Sequence, residues 1–152
     1  MPVPDPVPVP VHEASPRFDH ERLDVYRVAL NFAIVANDAA RNFDFGGDLA
    51  DQLRHASTSI VLNIAEGAGE YRPVEKARFY RMSLRSATEC AAIVDIATRL
   101  SGGRLTKFDG DNAFIDVGRE MRKSLLRIVA ILTRMASIGQ NRGRGRERTR
   151  ER

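Results

Sequence analysis

The 152 residues include 24 Lys+Arg against 20 Asp+Glu, one Cys, no Trp and 43% hydrophobic side chains, with a pI near 9.7. That length makes one domain the default and is enough to bury a core. A single Cys excludes an intramolecular disulfide or a Cys-based zinc site, and no run approaches the ~20 apolar residues of a membrane helix. The excess charge is local: residues Arg142–Arg152 hold six Arg and two Glu, a sum of +4, while the other 141 residues carry 18 basic and 18 acidic side chains. The body is formally neutral, and whether its charges segregate by face is not readable from sequence.

Six of the seven prolines fall at positions 2, 4, 6, 8, 10 and 16. Few backbone donors remain there, so residues 1–18 are expected to be a disordered Pro/Val-rich leader of extended, polyproline type. Its spacing contains no P-x-x-P pair, which weakens a reading as an SH3 ligand. The segment also lacks the basic region and apolar stretch of a secretory signal, so the expected compartment is the cytoplasm.

From Asp19 to Arg41 apolar residues recur at helical spacing in two stripes. Leu23, Tyr26, Leu30, Ile34 and Asn37 form one, and Val25, Val28, Phe32, Val35 and Ala39 the other. A helix with two apolar stripes is covered on more than one side, which suggests a subunit interface. Gly46 and Gly47 close this helix, with Asp48 as the expected N-cap of the next. The second helix spans about Leu49 to Glu66, with Leu53, Ala56, Ile60, Asn63 and Ile64 inward, and Gly67 and Gly69 end it. Pro73 suits the first position of a third helix. That helix places Phe79, Met82, Ser86, Cys90, Ile93, Ala97 and Leu100 on one face and stops at Ser101-Gly102-Gly103.

A fourth helix is expected to start at Asp109 or Asp111 and to end at Gly139. Its seam of Phe114, Val117, Met121, Leu125, Ile128, Leu132 and Met135 follows knobs-into-holes spacing. Nothing reads as a sheet. The expected fold class is all-α, an antiparallel up-down four-helix bundle over residues 19–139, followed by a disordered Arg/Gly-rich tail over 140–152.

Four-helix bundles often hold di-metal centres built from Glu and Glu-x-x-His. Only His12, His20 and His55 occur here and none lies three residues after a Glu, so no metal is expected. Phosphate-loop, H-E-x-x-H and G-x-S-x-G motifs are absent too, so no cofactor is implied. Cys90 on an inner face reads as core packing rather than as a nucleophile. The most unusual polar set is Asn63, Glu66 and Glu89, with Arg54, His55 and Arg85 as potential partners. It reads either as a catalytic carboxylate pair or as a structural network in which Asn63 and Glu66 bond the Gly67–Pro73 turn and fix helix register. The second reading is preferred because paired acids occur widely, and no catalytic residue is assigned.

Residues Ser59 to Gly67 read S-I-V-L-N-I-A-E-G, preceded by Gln52, Leu53, Arg54 and Ala56. This resembles the Q-L-R-x-A-x-S-I-x-x-N-I-A-E-G signature of the four-helix-bundle family first associated with 23S ribosomal RNA intervening sequences, which also includes the accessory variability protein of diversity-generating retroelements. Leu23-Asp24-Val25-Tyr26, Gly69, Pro73, Glu75, Arg78-Phe79, Ser86 and Glu89 match further, over about residues 20–100. Val61 stands where many relatives have Pro, Lys76 replaces a usual apolar residue, and Arg85 a usual Gly. The leader and the tail do not belong to the family pattern. The resemblance implies a ring-like homopentamer with no established enzymatic activity, and in the retroelement branch a basic pentamer that binds reverse transcriptase and nucleic acid.

The leading expectation is therefore a non-enzymatic oligomeric scaffold binding nucleic acid, RNA before DNA, or a nucleic-acid enzyme such as a reverse transcriptase. Arg142, Arg144, Arg146, Arg148, Arg150 and Arg152 would contact phosphates. The alternative is a protein–protein interaction module with no physiological nucleic-acid role.

Overall fold

The helical repeats of the sequence become four α-helices in the computed structural model, which describes the backbone of residues 16–100 and 113–150 and the side chains of 16–100 and 114–138. A short 3-10 turn at Asp19–Arg22 precedes α1 (Asp24–Asn42), α2 (Gly47–Gly69), α3 (Pro73–Leu100) and α4 (Ala113–Arg150). No β-strand occurs among the described residues. The proline-rich leader up to residue 15, the stop at Ser101-Gly102-Gly103 and the start at Asp109 or Asp111 lie outside them.

Each helix packs on two neighbours in a closed square: α1 on α2 and α4, α3 on α2 and α4. No contact joins the diagonal pairs among the described residues. Along α3, Lys76 reaches the carbonyl of Ala68, Ser83 that of Ile60, and Ser86 the hydroxyl of Ser59, so successive residues of α3 meet earlier residues of α2. Arg127 of α4 closes the square by pairing with Asp24 at the start of α1 (2.6 Å). Hydrogen bonds from Arg27 and then Arg127 hold the Asp24 carboxyl below its ordinary pKa.

The core follows from the apolar spacing. Every inward residue expected on α2 is buried, as are Phe114, Met121, Leu125, Ile128 and Leu132 along α4. Fully burying a side chain of that size stabilises the fold by about 1.5–3 kcal/mol. Helix α1 contributes small residues instead: Ala29, Ala33, Ala36, Ala39 and Ala40 surround Val25 and Phe32. The second stripe on α1 thus supplies three core residues, Val25, Phe32 and Ala39. The first stripe is split: Leu23 and Tyr26 are half-buried against the core, while Leu30 and Ile34 are 40% and 55% exposed. Alanine faces bring helices close, and periodicity counted on Leu and Ile does not register them.

Several boundaries differ from expectation for physical reasons. Phe43 takes an extended backbone and ends α1 before the two glycines, and its ring meets Phe114 edge-on at 5.0 Å. Gly46, with φ 94, is the N-cap of α2 where Asp48 was expected, because that backbone region costs little only without a Cβ. Gly67 does not end α2. A Cβ built there would lie 2.7 Å from Cε1 of Tyr80, so the glycine allows α3 to press its Tyr80 ring against α2.

The same contact turns the first half of α3. Ala77, Tyr80 and Ser83 are buried, while Phe79 and Ser86 are half-buried and Met82 is exposed. Helix α4 continues past Gly139, where it was expected to end, to Arg150. Glycine within a helix costs about 1 kcal/mol relative to alanine but does not by itself break the ladder. Among the described glycines only Gly46 adopts the left-handed φ that a glycine stop uses.

Candidate functional site

Helix α2 has two faces with different work to do. Leu53, Ala56, Ser57, Ile60, Ile64 and Gly67 point inward and are buried. Arg54, His55, Thr58, Ser59, Leu62 and Glu66 share the outward side with the edge of Asn63, and together with Asn37 of α1 they line an open cleft of about 520 Å³.

Hydrogen bonding sets the polarity of this cleft. Asn63 is 9% exposed, and its Nδ2 donates to the Ser59 carbonyl (2.8 Å) and the Ser59 hydroxyl (3.1 Å). Asn37 repeats the device, its Nδ2 donating to the carbonyl of Ala33 at 2.8 Å. With Nδ2 turned to these carbonyls, neither Asn Oδ1 accepts a hydrogen bond among the described residues. Glu66 adds an exposed carboxylate that forms no ion pair among the described residues. Arg54 at the other end is paired with Asp51 of its own helix. The cleft thus offers acceptors at Asn37, Asn63 and Glu66 beside donors at Arg54, His55 and Thr58.

The expected network of Asn63, Glu66 and Glu89 is not brought together. Asn63 bonds backward to Ser59, and a second link runs from the Ser86 hydroxyl to that of Ser59 at 2.9 Å. Asn63, Ser59 and Ser86 are thus the polar joint between α2 and α3. Ser83, fully buried, donates to the Ile60 carbonyl at 3.0 Å one turn away. Glu66 and Glu89 are both exposed, and no hydrogen bond or ion pair among the described residues joins them. The turn after α2 is tied by Lys76 instead, whose Nζ donates to the Ala68 carbonyl at 3.2 Å. Asparagine four residues after a serine was a legible signal for the first of these contacts. Ser83 carried none, since a buried serine looks like any polar gap in an apolar stripe.

Cys90 is fully buried, and desolvation, followed by the nearby Glu89 charge, pushes its thiol pKa up to about 12. It stays protonated at neutral pH and packs as a small apolar side chain. Among the described residues no group of three His, Cys, Asp or Glu is arranged to hold a metal ion, and no helix is long and apolar enough to cross a membrane.

The outward half of α2 also explains a sequence pattern. Packing demands Leu53, Ala56, Ile60, Ile64 and Gly67, but not the cleft residues Arg54 and Glu66. Both sets fall within residues 21–110, which match a family model for the 23S rRNA-intervening sequence protein. The chain belongs to the 23S rRNA-intervening sequence protein family. The match covers α1 to α3 and the ten residues after them, and ends before α4. A search of curated proteins found no match.

Among the arginines expected to contact nucleic acid, Arg142, Arg144, Arg146, Arg148 and Arg150 lie on the continuous backbone of α4, and Arg152 lies outside the described residues. The Arg122–Asp95 pair aligns α4 with α3, and beyond it α4 has 28 further residues where α3 has 22 before it. At 1.5 Å per residue α4 outruns α3 by about 9 Å.

Proposed function

We propose that the chain is a non-enzymatic scaffold that assembles as a ring-like homopentamer of antiparallel, up-down bundles in the cytoplasm. It binds nucleic acid, RNA before DNA, or a nucleic-acid enzyme such as a reverse transcriptase. The observation that carries the nucleic-acid reading is the extension of α4 beyond the bundle with a +4 sequence on it. A helix end bearing five arginines from Arg142 to Arg150 contacts phosphates through charge and releases their counterions, with little base specificity. Several such arms on one assembly raise avidity. The order in which α3 meets α2 supports the antiparallel arrangement. The ring rests on family membership and on the exposed apolar residues of α1.

Binding of a single-stranded RNA and a DNA duplex of equal length, measured against salt, tests the arm. If all six arginines engage, the log–log slope with single-stranded RNA is about −4, and deleting residues Arg142–Arg152 removes most of it. Unchanged affinity and slope after the deletion refute the mechanism. Sedimentation equilibrium tests the ring, which requires a species of five 17.0 kDa chains. The outward half of α2 favours a second reading, a protein–protein interaction module without a nucleic-acid role. RNA affinity that disappears at physiological salt while assembly persists would select it.

A further inference from the structure

The formally neutral body is neutral only as a sum. Between Asp24 and Gly69, the span of α1 and α2, there are six acidic and three basic residues, a net of −3. Helix α3 and α4 up to Ile138 carry ten basic against five acidic residues, a net of +5. Because α1 packs on α2 and α3 on α4 around a square, these two sets form opposite walls of the bundle. The fold thus separates charges that cancel in the sequence.

Each wall also holds charges and apolar side chains without a partner. On the α1–α2 wall, Asp38 and Glu66 are exposed and form no ion pair among the described residues, and Leu30, Ile34 and Leu62 are 40%, 55% and 56% exposed. On the α3–α4 wall, Arg85 and Arg99 are exposed and likewise unpaired. One buried guanidinium nitrogen of Arg81 has no acceptor. Leu126 on α4 is 62% exposed. The cleft on α2 adds the third element of complementarity: its exposed Glu66 carboxylate, which forms no ion pair among the described residues, and the Asn37 and Asn63 oxygens suit a guest that donates hydrogen bonds. A guanidinium is such a guest, with a methylene stem that covers an apolar neighbour such as Leu62.

We propose that the α1–α2 wall of one copy docks on the α3–α4 wall of a second copy, with an arginine of the basic wall seated in the α2 cleft. This names the contact surfaces for the self-assembly put forward above and rests on that reading. Two different walls meet, so the contact is head-to-tail, and each docked copy keeps its other wall free for the next. Opposite charge steers the encounter and the apolar side chains supply area to bury.

The test uses two full-length variants, Asp38→Lys/Glu66→Lys on the acidic wall and Arg85→Glu/Arg99→Glu on the basic wall. All four positions are exposed, and helicity by circular dichroism verifies that each variant folds. Native mass spectrometry and sedimentation then read the assembly. Wild type assembles, each variant alone associates at least about tenfold more weakly because like charges now meet, and an equimolar mixture assembles again with the two variants alternating. Intact walls pair with intact walls, and the altered walls, now Lys opposite Glu, are again of opposite sign. A wild type that is monomeric at micromolar concentration overturns self-assembly itself. If wild type assembles and the folded variants do so equally well, the walls are wrongly assigned while assembly stands. Weakened variants whose mixture forms no mixed assembly refute the head-to-tail contact.

Discussion

Gly67→Ala isolates the close approach of α2 and α3. The added Cβ would stand 2.7 and 2.9 Å from two carbons of the Tyr80 ring and 3.1 Å from Cβ of Phe79. Tyr80 is only 3% exposed, so its ring cannot swing away into solvent. Overpacking of a tight core costs about 1–3 kcal/mol, while replacing Gly by Ala within a helix returns up to about 1 kcal/mol. With three short contacts the clash dominates, for a net loss of about 1–2 kcal/mol. Urea unfolding followed at 222 nm, at one fixed protein concentration, measures it. Gly69→Ala is the matched control, because nothing lies within 4 Å of a Cβ there and the change should be neutral or slightly stabilising. In a Tyr80→Ala background most of the Gly67→Ala cost should disappear, since only the 3.1 Å contact with Cβ of Phe79 remains. A Gly67→Ala protein as stable as wild type would show that the glycine is not there for packing.

Three further outcomes follow from the core. Ser83→Ala should cost about 0.5–1.5 kcal/mol in urea unfolding through its lost bond to the Ile60 carbonyl. Leu132→Ala at a fully buried position should cost about 2–5 kcal/mol, whereas Leu126→Ala on the surface should leave the unfolding of the isolated chain nearly unchanged. Burial raises the Cys90 pKa from 9.0 to about 12, so between those values the unfolded chain releases a proton that the folded one keeps. Stability should fall with rising pH across that window, by at most about 1.4 kcal/mol per unit from this group. Desolvation of the Tyr80 phenol acts in the same direction at the alkaline end. Cys90→Ala should flatten the decline, and an unaltered pH profile would refute the assignment.

Much of the candidate site was legible in the nonapeptide Ser59–Gly67, but its two roles were not separable there. Ile60 and Ile64 announce a core face by spacing, and both are buried. Asn63 and Glu66 looked like one polar cluster because they are three residues apart. The helix instead turns Asn63 back onto Ser59 and leaves Glu66 to solvent. The α3 face was misread at Phe79 and Met82 because side-chain size suggested an inward stripe. Contact with a glycine on another helix put Tyr80 there.

By itself the sequence determined the class of fold, the four helices and the buried seam of α4, since these depend on spacing along one chain. It also located the excess charge in the last eleven residues. Tertiary structure decided what depends on which helices are neighbours: the Gly67–Tyr80 contact, the acceptors of the α2 cleft, and the division of a neutral body into walls of −3 and +5. Formal charges add along a chain without regard to position, but an approaching partner meets only the charges on the wall that faces it.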